Sequence, residues 1–360
     1  MESRPTSRRK KRLLKPALAL ASLAASLAAA EVAVRCVVEG GLVRGVASLW
    51  GARWMPDVSG TETSFLPDPE LGYRLNPAKP GVNKYGLNGP EPSVPKPPGR
   101  TRVLVLGDSV GWEAGGFVDL LQAHLNYSPG ECDVVNACVP GYTTYQERLL
   151  LERDLLPLGP DLVVLEYCLN DNHRFLHRID PDGNRLLTPE AKRALLPEGD
   201  GLWARLGRWS YLAVEIRRRI AERRLRAEGA FPWESREDVC TAWKLDTWPD
   251  FETNLLAIRD ALAARGAHLA VVAFPLGDQV DCPELERARD YVLRPQHELA
   301  RICASAGVPA LDLFPAFLRS RSEGVRLFTD GIHLQIGGHM LAASEIAKFL
   351  RENGLPGKPR

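Results

Sequence analysis

The sequence predicts an α/β protein built on a doubly wound parallel sheet, and three observations carry that reading. Five short apolar runs, "RVLVLG", "DVVNA", "DLVVLEY", "HLAVVAF" and "VPALDLF", have the length and β-branched content of strands buried on both faces. Between them lie stretches of helical periodicity, near 116–126, 145–156, 250–265 and 283–306, with a last one after Gly337. Such alternation closes as a parallel sheet with helices on its faces. The chain has 360 residues, 45% hydrophobic and 25% charged, which supplies core for one or two globular domains.

Residues 1–38 read as a signal peptide or a signal-anchor helix. "MESRPTSRRKKRLLK" is strongly basic, and from Pro16 to Ala30 only Ser22 and Ser26 interrupt an apolar run. "AAA" before Glu31 can be a cleavage site, which favours the signal peptide. Alternatively the helix continues through "EVAVRCVV" to Val38, where Glu31 and Arg35, four residues apart, can pair near the outer interface of a membrane. Both readings keep the basic cluster cytoplasmic and export the remainder, so the protein is expected either anchored with its body outside or secreted after cleavage.

Residues 39–100 are rich in Pro and Gly and predict turns, short hairpin strands and a stalk. The alternating pattern spans 101–355, interrupted at about 172–248 by a stretch too long for a plain loop, read as a helical insertion. Five of the eight tryptophans lie there, Trp203, Trp209, Trp233, Trp243 and Trp248, around a basic helical run near 212–226 with Arg217, Arg218, Arg219, Arg223 and Arg224. Three uses compete for them: a satellite core, a lid over substrate, or a face for an anionic membrane.

Charge excludes one function class, because 46 basic and 45 acidic residues leave no field that favours nucleic acid. The seven cysteines show no CxxC and read as small core residues. His173 and His177 have a metal-compatible spacing but no evident third ligand, so no metal is expected.

Chemistry is sought where parallel strands end. Gly107 stops the first apolar run, which places Asp108 and Ser109 at its mouth. A serine hydroxyl is a weak nucleophile that needs a base within hydrogen-bond reach, itself oriented by a carboxylate. Asp330 and His333 in "DGIH", three residues apart, can supply carboxylate and base. A tetrahedral intermediate needs donors for its oxyanion, and the backbone amides of Ser109 and Gly141 with the Asn170 side chain would make a three-donor hole. Each of these residues also has a structural use: Ser109, Asp108 and Asp330 as helix caps, Gly141 and Asn170 as turn formers, and Asp171 beside Asn170 as a structural residue.

"GDS" with Ser109, "PGYTT" with Gly141, "LND" with Asn170 and "DGIH" with Asp330 and His333, in that order, resemble the SGNH, or GDSL, hydrolases. The resemblance covers about Arg102 to Glu352, and "DPELGY…NKYGLNG" is similar to the lead-in of membrane-associated bacterial members. It implies a flavodoxin-like sheet and a serine esterase or acyl hydrolase that uses no cofactor, with Ser109 as nucleophile, His333 as base and Asp330 as the orienting acid. Two departures stand out. Cys168 replaces the usual glycine two residues before the asparagine, and "VGWEAGG" after the serine brings Trp112 and Glu113 toward the acyl pocket. The implied substrate is an acylated small molecule or glycan, with acetyl as one candidate group. An acyltransferase that passes the acyl group to a sugar, and a binding module with an idle triad, are the alternatives.

Overall fold

The computed structural model describes residues 6–38, 42, 46, 64–125, 132–179, 185–188, 210–236 and 238–355. The Ala- and Leu-rich N-terminal segment forms helix α1 (Thr6–Val38). A hairpin follows, β1 (Phe65–Asp68) against β2 (Gly72–Leu75), its turn closed by the Asp68 carboxylate, which accepts from the amides of Glu70 and Leu71. The α/β rhythm then begins with β3 (Thr101–Leu106), α2 (Ser109–Trp112), α3 (Phe117–Leu125), β4 (Cys132–Asn136), α4 (Thr144–Leu150) and β5 (Leu162–Tyr167). A small hairpin, β6 (His177–Ile179) with β7 (Arg185–Leu187), and helix α5 (Tyr211–Ala227) interrupt it. It resumes with α6 (Trp248–Ala263), β8 (His268–Ala273), α7 (Gly277–Val280), α8 (Leu285–Val292), α9 (Arg294–Ala306), β9 (Ala310–Asp312), α10 (Phe314–Ser322) and α11 (Ile336–Glu352). The single helix expected near 283–306 is therefore two. Pro295 sits in the first turn of α9, where its missing N–H is harmless, whereas a helix running on from α8 would need that donor.

Strands β3, β4, β5, β8 and β9 form one parallel sheet in the order β4-β3-β5-β8-β9. Counted along the chain this is 2-1-3-4-5, the flavodoxin-like order, with its topological switch between β3 and β5. Alternate side chains point to opposite faces and both faces are covered. Val103, Val105, Val164 and Val272 pack with Phe117 and Leu121 of α3, Phe314 of α10 and Ile346 of α11. Leu104, Leu106, Leu165 and Val271 pack with Leu150 of α4, Phe251 and Ile258 of α6 and Ile302 of α9. Each such side chain contributes about 1.5–3 kcal/mol when fully buried.

Two segments outside the strand and helix alternation pack into this body. The hairpin of residues 65–75 docks through the Tyr73 hydroxyl, which donates to the Pro140 carbonyl at 2.8 Å, and through Gln146 Nε2, which donates to the Leu71 carbonyl at 2.7 Å. Leu71, Tyr73, Leu75 and Leu87 are buried, so residues 64–100 are a packed flank rather than a free stalk. Trp233 and Trp243 are buried in the first core layer and stacked at 4.8 Å, with Phe231 stacked on Trp233. Trp248 lies in the second layer against Tyr167 and Phe251. These three rings are core; Trp203 and Trp209 lie outside the described residues.

The chain divides into two compact units, one of residues 58–195 with 230–360, which holds the sheet, and one of residues 1–57 with 196–229. In the second, Lys15–Cys36 is a 22-residue stretch of α1 long and apolar enough to cross a membrane, with Leu18, Leu20, Leu23 and Leu27 exposed. Glu31 pairs with Arg35 at 2.7 Å. Its carboxylate also accepts from Ser210 Oγ at 2.7 Å and from the amides of Tyr211 and Leu212, both at 3.0 Å. The Arg35 guanidinium lies 4.5 Å from the Tyr211 ring centre. An acidic residue just past the Ala- and Leu-rich run of α1 thus satisfies the open amides at the start of α5.

Candidate active site

The apolar run of β3 ends at Gly107, and a side chain there would not fit: a Cβ would stand 2.1 Å from Glu166 Oε2. Asp108 caps α2, accepting from the Val110 amide at 2.8 Å, which exposes Ser109 as the first helical residue at the sheet's C-terminal edge. Ser109 Oγ lies 2.9 Å from His333 Nε2, and His333 Nδ1 lies 2.7 Å from Asp330 Oδ2. The tautomer follows, because Asp330 can only accept: Nδ1 carries the proton and Nε2 keeps a lone pair for the serine hydroxyl. The loop that holds the pair is short and self-bonded. Asp330 Oδ1 accepts from the amides of Ile332 and His333, and the His333 carbonyl accepts from Thr329 N at 2.8 Å. Burial pushes the Asp330 carboxyl up, but the His333 ring and the two amides outweigh it and hold the group below its ordinary value.

On the other side of the switch, Asn170 follows β5. Its Nδ2 donates to Asp108 Oδ2 at 2.8 Å and reaches the Tyr142 carbonyl at 3.4 Å. The opposite amide orientation would set a carbonyl oxygen against a carboxylate, so the Asp108 charge fixes which way Asn170 points. Gly141 has φ 77°, a conformation that suits glycine, in a loop pinned to the sheet end by Val139 N donating to the Gly107 carbonyl at 2.9 Å. Asp171 bridges the next layer, accepting from Cys168 N at 2.7 Å and from Thr144 Oγ1 at 2.8 Å. Cys168 is buried in the first core layer, so the side chain that replaces glycine points into the core.

Sequence reasoning missed a buried acid cluster beneath the serine. Glu166 and Glu147 are fully buried, and neither Glu147 oxygen has a hydrogen-bond partner among the described residues. Burial, and then the Asp108 charge, push Glu166 well above the usual carboxylate range; burial and Asp171 do the same to Glu147. Burial also raises Asp108, opposed by bonds from Val110, Glu166 and Asn170. Two carboxyls in contact need a proton between them: burial raises both, and the bond between them raises Glu166 further while it opposes the rise of Asp108. The signal was available for Glu166, an acid inside "DLVVLEY"; for Glu147, on a helix, there was none. Two further groups adjoin the site: His339 Nδ1 accepts from Phe117 N at 3.1 Å while its Nε2 lies 3.1 Å from Glu113 Oε2, and Trp112 packs against both core layers. His173 is buried just beyond Asn170 and His177 opens β6; among the described residues no cluster of three or more His, Cys, Asp or Glu could hold a metal.

The sequence model of the GDSL-like lipase/acylhydrolase family matches residues 105–341. No curated protein matches the chain. Among solved structures, an acetylxylan esterase from Geobacillus stearothermophilus, Axe2, is similar at 16% identity and a TM-score of 0.42, over 72% of this chain and 96% of that one. The acetyl xylan esterase AlAXEase is similar at 16% identity and 0.43, over 69% and 98%. LAE5, an alpha/beta hydrolase enzyme from the metagenome of Lake Arreo, Spain, is similar at 18% and 0.42, over 72% and 98%.

Proposed function

The chain belongs to the GDSL-like lipase/acylhydrolase family of serine esterases, and on that premise we propose that it is an exported esterase that removes short acyl groups, such as acetyl, from an acylated small molecule or glycan. One observation carries the reading: the unbroken hydrogen-bond chain from Ser109 Oγ through His333 to Asp330, at 2.9 and 2.7 Å. Ser109 Oγ attacks the ester carbonyl as its proton passes to His333 Nε2, and Asp330 stabilises the imidazolium so formed. The oxyanion takes donors from the amides of Ser109 and Gly141 and from Asn170 Nδ2, whose long contact to Tyr142 it replaces. His333 returns the proton to the leaving alkoxide. It then deprotonates the water that hydrolyses the acyl-enzyme, releasing the acid and restoring Ser109.

Trp112, wedged between both core layers three residues past the nucleophile, favours a small acyl group. The basic N-terminus and the Lys15–Cys36 helix support export with the chain anchored by α1. Purified full-length protein should label at Ser109 with a fluorophosphonate and cleave aryl acetates. Ser109→Ala should lose labelling and lower turnover by about 10⁴-fold or more; labelling that survives in the variant sinks the assignment. With a sugar acceptor present, free acetate marks a hydrolase and acetylated acceptor marks a transferase.

A further inference from the structure

Helix α5 presents a surface that the esterase chemistry does not use. Its 17 residues include six arginines against two glutamates. Ile216 and Ile220, four residues apart, share one face and are exposed by 37% and 56%. At helical spacing Arg219 and Arg223 flank that apolar stripe on one side, and Arg217 and Arg224 on the other. Arg219 and Arg224 make only exposed pairs within the segment, with Glu215 and Glu228; Arg217 and Arg223 have no ion pair among the described residues. An apolar stripe between two rows of arginines is the arrangement in which long side chains lift their charges to headgroup phosphates while the stripe meets acyl chains.

A second, independent observation says which surface this is. The start of α5 is tied to α1 by Glu31, near the outer end of the Lys15–Cys36 stretch, where the same carboxylate holds the amides of Tyr211 and Leu212. A membrane crossed by α1 would therefore have its headgroup layer beside the first turn of α5. We infer that α5 is a membrane-surface helix that binds anionic phospholipid headgroups, with Glu31 of the anchor setting where it starts. The partner is committed by charge: a zwitterionic surface offers no net field to a helix carrying this excess of arginine.

The inference rests on the anchor reading of α1, and its test separates the two. Full-length protein is placed in nanodiscs of phosphatidylcholine with or without phosphatidylglycerol, and amide hydrogen exchange is followed over 211–227. The anionic discs should slow exchange there by about tenfold or more, and strong salt should remove the difference. The triple variant Arg217→Glu, Arg219→Glu, Arg223→Glu should exchange equally fast in both discs, while Ser109 labelling reports that the sheet-bearing unit is folded. Equal exchange in the two lipids, or a variant that keeps the difference, overturns the inference; protection independent of lipid would mean that protein covers the helix. Resistance to carbonate extraction checks α1 separately. If carbonate strips the chain the anchor reading fails, and the same exchange comparison with added vesicles of the two compositions still decides for or against α5.

Discussion

Asp108 precedes Ser109 in the chain and Asp330 reaches it through His333, and their surroundings give the two carboxyls opposite properties. Asp330 lies half open to water on a turn, bonded to the His333 ring and to two amides, so it is held in its charged form. Asp108 is buried at the sheet edge beside Glu166, Asp171 and Glu147, and the same residue type is pushed toward protonation. The difference teaches that charge here is delivered from the rim of the site, where solvent and amides support it. Of the interior carboxyls, Glu166 and Asp108 share a proton, and Asp108 and Asp171 hold neighbouring amides and hydroxyls as a hydrogen-bonded frame.

Three experiments can break or sharpen that comparison. The largest effect is expected at the rim: Asp330→Asn keeps the shape but removes the charge that holds His333, and should lower kcat by about 10⁴-fold with little change in KM. A loss of tenfold or less would show that the rim carboxylate is dispensable. Next, Asp108→Asn leaves a group that cannot accept from Asn170 and Glu166 together, which frees the Asn170 amide to rotate. A fall in kcat of about 10²-fold, again without a matching change in KM, is expected from a misdirected oxyanion donor. If this variant equals Asp330→Asn, the frame and the rim are not distinct.

The smallest effect is on stability and is read from thermal unfolding across pH. Burial, followed by the Asp108 charge, raises Asp171 to about 8 from an ordinary 3.8. A raised carboxyl contributes stability that is fully present below its unfolded value and is lost as pH rises through its folded one, here between about 4 and about 8. Asp171→Asn should therefore flatten the decline in Tm over that window. Asp330 runs the other way: its stabilisation is present above the ordinary value and disappears as pH falls through the lowered one, so Asp330→Asn should alter only the acid limb. An unchanged neutral slope in Asp171→Asn would mean that Asp171 is charged in the folded protein.

Much of the architecture was legible because it is written in local periodicity. Strands that are apolar on both faces and helices that are apolar on one declare a parallel sheet, and residues just past a strand end must sit at its edge. Ser109, Gly141 and Asn170 fall at such ends, and Asp330 with His333 in a loop of their own, so their types and spacing named them as candidates. The helix break before Pro295 was not read from the sequence, because amphipathic periodicity on both sides concealed it.

What sequence could not decide was burial. "RRRIAERRLR" and the Trp-bearing stretch after it read as one insertion, but α5 leaves Ile220 exposed while Trp233 is fully enclosed by Phe231 and Trp243. Likewise the sequence offers Glu31 only Arg35 as a partner, and residues 210–212 arrive from far along the chain to use the same carboxylate. Glu166 reads as a polar interruption until Gly107 and Gly111 are seen to leave the space that it fills. A propensity is a property of neighbours in sequence and is carried by the chain itself. A charge or an indole takes its state from neighbours in space, which exist only once the sheet has closed and the distant segments have met.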